Sequence, residues 1–291
     1  MSWLITGGSG QLGIAVTQEL IERELHFMAP NSQELDITLS SLVPEFIAQV
    51  SPKVIVNCAA WTDVDGAENT KALASRVNSD GAENVARGAK LSGAKLIHIS
   101  TDYVFSGAGD TPWKANDAVN PQSAYGRTKA DGESRVMATY PENSIIVRTA
   151  WLYSPWGKNF AKTMTRFAIN GGSEVKVIND QVGQPTSAID LSKQLVDLGQ
   201  SNFPAGTYHG TNLGQGTWFD FAKEIFDLAG ADANRVIPVS SKEYPQTAKR
   251  PSYSVLSNDA WGNSSVQAMK DWRTALAEAM PAIISAVKEE E

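Results

Sequence analysis

Trp3-Leu-Ile-Thr-Gly-Gly-Ser-Gly-Gln-Leu-Gly13 decides how this chain folds. Residues 3–6 are a short apolar run without alternation, as in a strand covered on both faces. Gly7, Gly10 and Gly13 follow, and a helical pattern over 11–21 begins within them. Glycines spaced this way allow a tight turn, close approach of backbone N–H groups to a pyrophosphate, and close packing of the helix. The first gap is one residue wider than in the common dinucleotide fingerprint. The helix N-terminus adds partial positive charge where phosphates would lie. A flexible surface loop could share this composition, but its place between a first strand and a first helix favours a nucleotide site.

Working outward, strand-like runs recur at 26–29, 54–58, 96–100 and 144–148. Helical patterns fill the gaps at 39–50, 67–91 and 124–140. Short apolar strands separated by helices indicate parallel β-α-β units. The expected fold is α/β, a Rossmann-like doubly wound parallel sheet. The second half is less regular. A strand at 174–178 precedes the loop Asp180-Gln-Val-Gly-Gln-Pro185, and helices are expected over 188–198, 217–229 and 266–287. Pro238, Pro245 and Pro251 break the stretch between the last two. Residues 1–150 therefore read as an NAD(P)-binding domain. Residues 151–291 read mainly as a smaller α/β substrate-binding lobe interleaved with it, ending in an acidic, solvated Glu289-Glu-Glu291.

Composition narrows the class. With 42% hydrophobic residues among 291, the chain can bury a sizeable core. Its net charge of -7 argues against a nucleic-acid partner. The single cysteine, Cys58, allows no intramolecular disulfide and fits a reducing compartment. His26, His98 and His209 show no zinc spacing, so no metal is expected. Residues 1–6 run straight into glycines, unlike a signal peptide. No apolar run approaches a membrane span. The expectation is a cytoplasmic protein with no membrane partner.

Three segments converge on redox chemistry. Tyr125 and Lys129 stand four apart in Ser123-Ala-Tyr-Gly-Arg-Thr-Lys129, on one face of a helix. A phenol beside an ammonium is a plausible proton donor, since the cation favours phenolate and lowers the tyrosine pKa. Thr101, at the end of the fourth strand in Ser100-Thr-Asp-Tyr-Val-Phe105, faces the same crevice. Thr101 would bond a substrate carbonyl, Tyr125 would donate a proton to it, and Lys129 would hold the nicotinamide ribose. Small residues in Asn57-Cys-Ala-Ala60 would let a ligand approach the sheet there. The end of the second strand, Phe27-Met-Ala-Pro-Asn31, carries neither acid nor arginine. Without an acid to repel a 2′-phosphate, NADPH is slightly preferred to NADH. Asp36 and Ile37 could meet the adenine or lie on the surface.

At this point the chain resembles the extended short-chain dehydrogenase/reductases, and within them the dTDP-4-dehydrorhamnose reductase family. The glycine turn and the Tyr-Lys pair are common to the superfamily. Ser100-Thr-Asp-Tyr-Val-Phe105, Asn179-Asp-Gln-Val-Gly-Gln-Pro-Thr186 and Arg148-Thr-Ala-Trp151 are more specific. The resemblance implies reduction of the C4 ketone of dTDP-4-dehydro-L-rhamnose. It implies a catalytic triad of Thr101, Tyr125 and Lys129. Cofactor contacts would come from Gly7, Gly10, Gln11, Leu12, Gly13, Asp36, Ile37, Ala59, Ala60, Trp61 and Thr62. Substrate contacts would come from Thr101, Asp102 and Trp151. Related 4,6-dehydratases carry Asp-Glu after the threonine; Tyr103 stands where that second acid would be.

Arg250 could bind the substrate diphosphate, or form a structural ion pair. Trp218 and Phe219 read as anchors of a helix to the core, and His209 as a packing histidine. Some family members form Mg²⁺-dependent dimers through glutamates; the matching positions here are Ala15, Ile189 and Ala282, which cannot ligate Mg²⁺. A monomer is expected, possible association with other rhamnose-pathway enzymes aside. The competing readings are a reductase or epimerase of another nucleotide sugar, and a non-catalytic regulatory subunit of the same fold.

Overall fold

The computed structural model describes residues 2–244, 246–261 and 266–290. Pro245 and the terminal Glu291, named above, lie outside the described residues. β1 (Ser2–Thr6) passes through the glycine turn into α1 (Gln11–Glu22), then β2 (His26–Met28), α2 (Leu42–Val50) and β3 (Val54–Asn57). A broken helical stretch follows: α3 (Val64–Asn69), α4 (Lys71–Ser75), a π-helical turn (Arg76–Gly81) and α5 (Ala82–Ser92). Next come β4 (Lys95–Thr101), α6 (Ala124–Thr139) and β5 (Ser144–Thr149). The second half supplies β6 (Leu152–Tyr153), α7 (Phe160–Ile169), β7 (Val175–Ile178), β8 (Val182–Gly183), β9 (Thr186–Ser187), α8 (Ala188–Gln200) and β10 (Gly206–His209). It closes with β11 (Gly216–Thr217), α9 (Trp218–Leu228), β12 (Val236–Val239) and α10 (Trp272–Glu289).

Six strands pair in parallel in the order β10-β5-β4-β3-β1-β2. The fold is the doubly wound sheet read from the sequence. The chain steps from β1 outward to β2, then returns to β3 on the other side. That reversal opens a crevice at the strands' C-terminal ends. Trp3, Ile5, Val54, Val56, Ile145 and Val147 pack on one face with Val16, Leu20, Leu191 and Leu195 of α1 and α8. Leu4, Ile55, Leu96 and Ile146 pack on the other with Val43, Ile47, Val85 and Val136. Both faces of these strands are thus buried, which is why their sequences do not alternate. β2, an edge strand, is exposed at all three residues. A separate core of Tyr153, Phe221, Phe226, Trp272, Leu276 and Ile283 joins α7, α9 and α10.

Three of the differences from the sequence reading concern helices. The helix expected over 67–91 is interrupted at Thr70 (φ -128, ψ 47) and again by the π-helical turn. The helix expected over 266–287 begins only at Trp272, where Asp271 accepts from the Arg273 N–H and caps it. α7 is an additional helix, started by Asn159, whose side chain accepts from the Lys162 N–H at 3.0 Å. Among the described residues, no helix is long and apolar enough to cross a membrane.

Candidate active site

The glycine turn builds one end of the site. Gly7 has φ +69, and a Cβ there would lie 2.7 Å from the Ala59 nitrogen. Only glycine therefore lets the ends of β1 and β3 close on each other. At Gly13 a Cβ would come within 2.2 Å of the Gly7 oxygen, so glycine also seats α1 against the turn. Gly10 is the N-cap of α1 and offers no side-chain cap. The first-turn N–H groups are left for a ligand, and an anion is the natural one.

Two adjoining cavities meet at this turn. One, of about 270 Å³, is lined by Gly7, Ser32, Leu35, Asp36, Ile37, Ala59, Ala60 and Val77. It has the size and apolar walls for an adenosine, and it brings Asp36 and Ile37 to the crevice. The second, of about 650 Å³, runs from Gly10, Gln11, Leu12 and Gly13 past Ala60 and Thr62 to Thr101, Asp102, Tyr125, Lys129 and Trp151. Glycine turn, polar side chains and aromatic wall thus share one cleft.

Trp61 is the exception among the expected cofactor contacts. Its indole donates to the Asp63 carbonyl at 3.0 Å and packs beside Tyr125. Gln11 is also engaged. Its carbonyl oxygen accepts from Ser154 Oγ at 3.0 Å and from Asn159 Nδ2 at 2.9 Å. Its side chain thereby ties the glycine turn to the loop before α7.

α6 delivers Tyr125 and Lys129. Ser123 caps it, accepting from the Gly126 N–H at 3.1 Å. The π-helical turn braces it from behind: Asn78 bonds Thr128 Oγ1 at 3.0 Å and both the N–H and C=O of Trp61, while Ser79 donates to the Thr128 carbonyl. Asn78 was not legible as a site residue, because its position depends on the irregular helix. Such π-turns recur at functional sites.

Lys129 is 2% exposed and donates to the Ile99 carbonyl at 2.6 Å. Burial pulls its pKa down to about 8, with Glu133 and Cys58 acting in the opposite direction. Tyr125 moves the other way from the expectation. Burial pushes its phenol up to about 12, Thr101 opposes that shift and Asp102 adds to it. The expected depression by Lys129 is absent: the ammonium is held at the Ile99 carbonyl, and desolvation dominates. Tyr125 lines the open cleft, so the upward shift is fullest when water is excluded.

Thr101 Oγ1 donates to Asp102 Oδ1 at 2.9 Å. Asp102 is 2% exposed. Burial raises its carboxyl to about 6, with the hydroxyls of Ser254 and Thr101 holding it down. Tyr103 sets its ring edge-on against Tyr125, centroids 5.6 Å apart.

Trp151 has φ +45, a conformation that costs a bulky residue about 1–3 kcal/mol and persists where surroundings enforce it. Arg250 does not line the cleft. It donates to Asp65 Oδ2 at 2.6 Å, and Asp65 also accepts from the Ala248 N–H. Of the two readings of Arg250, the structure realises the ion pair. Trp218, expected to anchor α9, does pack against the core, and it also lines the cleft with Phe160 and Phe221. His209 is buried, bonded to the Ser257 carbonyl and drawn down to about 4 by burial.

The model of the RmlD substrate binding domain family matches residues 1–284. A dTDP-4-dehydrorhamnose reductase of Streptomyces griseus is 42% identical over 285 residues, covering 97% of this chain and 93% of that protein. A probable dTDP-4,6-dihydroxy-2-methyloxan-3-one 4-ketoreductase of Streptomyces antibioticus is 41% identical, covering 98% and 97%. The solved structure of the Bacillus anthracis dTDP-4-dehydrorhamnose reductase in complex with NADP is similar with a TM-score of 0.92 at 38% identity, covering 96% of this chain and 98% of that one. With a family model across nearly the whole sequence and full-length relatives at this identity, the chain belongs to the dTDP-4-dehydrorhamnose reductase family.

Proposed function

We propose that this protein reduces the C4 ketone of dTDP-4-dehydro-L-rhamnose to dTDP-L-rhamnose, with NADPH favoured over NADH. The observation that carries this reading is the single cleft joining the uncapped N-terminus of α1 to Thr101, Tyr125 and Lys129. The full-length relatives named as reductases of dTDP-linked ketosugars support it.

Gly7, Gly10, Gln11, Leu12 and Gly13 would hold the cofactor's phosphates, and Asp36, Ile37, Ala59 and Ala60 its adenosine. When bound, the nicotinamide supplies a hydride to C4. The carbonyl electron pair moves onto oxygen, which takes the proton of Tyr125. Burial keeps Tyr125 a neutral phenol before reaction, so the proton is present to give. A lysine has three N–H donors, and one here goes to Ile99, so others remain for a ribose hydroxyl. Thr101 can turn its hydroxyl from Asp102 to the ketone oxygen and hold it in line. Asp102, which accepts from Thr101, would hold that hydroxyl until the ketone arrives.

A reductase is favoured over a dehydratase because Tyr103, rather than a second acid, follows Asp102. A related dTDP-4-ketosugar is the second reading, supported by the Streptomyces antibioticus relative. The protein would act as a monomer without Mg²⁺ in the cytoplasm. Residues 1–150 would serve the cofactor, and residues 151–291 mainly the substrate. Chromatographic identification of the product formed from dTDP-4-dehydro-L-rhamnose with NADPH, and separately with NADH, tests the reading. Conversion to dTDP-L-rhamnose, faster with NADPH, is expected. Oxidation of neither cofactor would sink it.

A further inference from the structure

Trp151 is held from two sides. On one, its ring lies against Gly183, where a Cβ would come within 2.4 Å of the indole. On another it stacks on Trp218, with centroids 3.6 Å apart and planes at 10°. Its backbone is fixed as well, its carbonyl accepting from the Thr186 N–H at 3.2 Å. The left-handed φ of Trp151 is the cost of seating the indole in this slot.

Trp218 is equally constrained. It is the first residue of α9, whose cap is reciprocal: Thr217 N–H donates to Asp220 Oδ2 at 2.9 Å, and Asp220 N–H to Thr217 Oγ1 at 3.0 Å. Phe160 tilts against its ring at 4.7 Å. Both indoles and Phe160 line the cleft that contains Thr101 and Tyr125. Two tryptophans that each restrain the other present one rigid apolar wall, and neither can move without the other.

We propose that Trp218 is a second substrate-positioning residue, and that Trp151 and Trp218 act as one wall against the deoxyhexose ring of a nucleoside-diphosphate 4-keto-6-deoxysugar. The proposal rests on the reductase reading above. A 6-deoxysugar has an apolar methyl edge that suits such a wall, while its ketone must face Tyr125. Trp218 sets that orientation by holding Trp151 in place and by its own ring.

The test pairs kinetics with a spectroscopic probe of the unaltered chain. Trp218→Ala raises the KM for the dTDP-ketosugar about tenfold, the scale of a lost aromatic contact. NADPH affinity stays unchanged. Trp151→Ala, Trp218→Ala and the double variant show nearly the same loss, because removing either tryptophan dismantles the pair. Independent, fully additive effects overturn the proposal, as does an unchanged KM in Trp218→Ala. Should Trp218→Ala not fold, the wild-type protein decides. With indole nitrogens labelled for NMR and Trp218 assigned through Trp218→Phe, dTDP-L-rhamnose shifts the Trp218 indole signal and dTDP alone does not. An unmoved signal, or an equal shift with dTDP, overturns the proposal. Failure of the wild-type protein to reduce the ketosugar would instead defeat the reductase reading.

Discussion

Replacing Lys129 by methionine should make the protein more stable and inactive at once. The ammonium is almost fully buried, and its pKa falls to about 8 from the ordinary 10.5. The sign follows from proton binding. Between those two values the unfolded chain holds the proton and the folded chain does not, so stability rises with pH through that window. Below about pH 8 the full penalty of the buried charge is present. A shift of this size corresponds to roughly 3 kcal/mol. Loss of the hydrogen bond to Ile99 offsets about 1 kcal/mol of that. Lys129→Met should therefore be about 2 kcal/mol more stable than wild type near pH 7, with the difference closing towards zero by about pH 10. Urea unfolding of both proteins at the two pH values measures it, alongside NADPH oxidation with the ketosugar. A variant less stable than wild type near neutrality, or a difference independent of pH, would refute the reasoning about the buried charge. Retained turnover would refute the assigned role of Lys129.

Two further outcomes are expected. Asp65→Asn and Arg250→Ala should each destabilise by about 1 kcal/mol, as for a partly exposed pair, and leave the ketosugar KM nearly unchanged. A large rise in KM for Arg250→Ala alone would make Arg250 a phosphate ligand instead. Because Ala15, Ile189 and Ala282 carry no oxygen donor on their side chains, light scattering after size exclusion should give a monomer mass both with Mg²⁺ and with EDTA. A Mg²⁺-dependent dimer would contradict this.

The first half of the fold was legible because its signals are local. The strand, the glycine turn and the start of the helix follow one another within Trp3 to Gly13, and non-alternating strands already declare a sheet buried on both faces. The meeting of Thr101, Tyr125 and Lys129 in one cleft was legible from their order: a strand-end threonine and then Tyr and Lys on one helical turn. What failed depends on long-range contacts. Apolar periodicity over 67–91 does not reveal where an α-turn widens to a π-turn; that is decided by Asn78 bonding across to Trp61 and Thr128. β10 is a four-residue strand that joins the sheet only by pairing with β5. α7 could have been found from Asn159 as a cap and from the buried Ala161, Met164 and Ala168 on one face. The cleft-lining face of Trp218 and the choice between the two readings of Arg250 were not legible, because local sequence gives a side chain's chemistry but not its partner. The Tyr125 phenol was misjudged for a related reason. The spacing predicts a cation nearby, whereas the environment adds a desolvation that outweighs it.

Delivery of the proton to the ketone oxygen by Tyr125 is tested most directly by removing its hydroxyl. Tyr125→Phe keeps the ring that packs against Tyr103 and removes only the hydroxyl. In a single turnover with the dTDP-ketosugar, it should bind NADPH as wild type does and lose reduction by a factor of about 10²–10⁴, the range for a general acid. Near-normal reduction with intact cofactor binding would contradict the account.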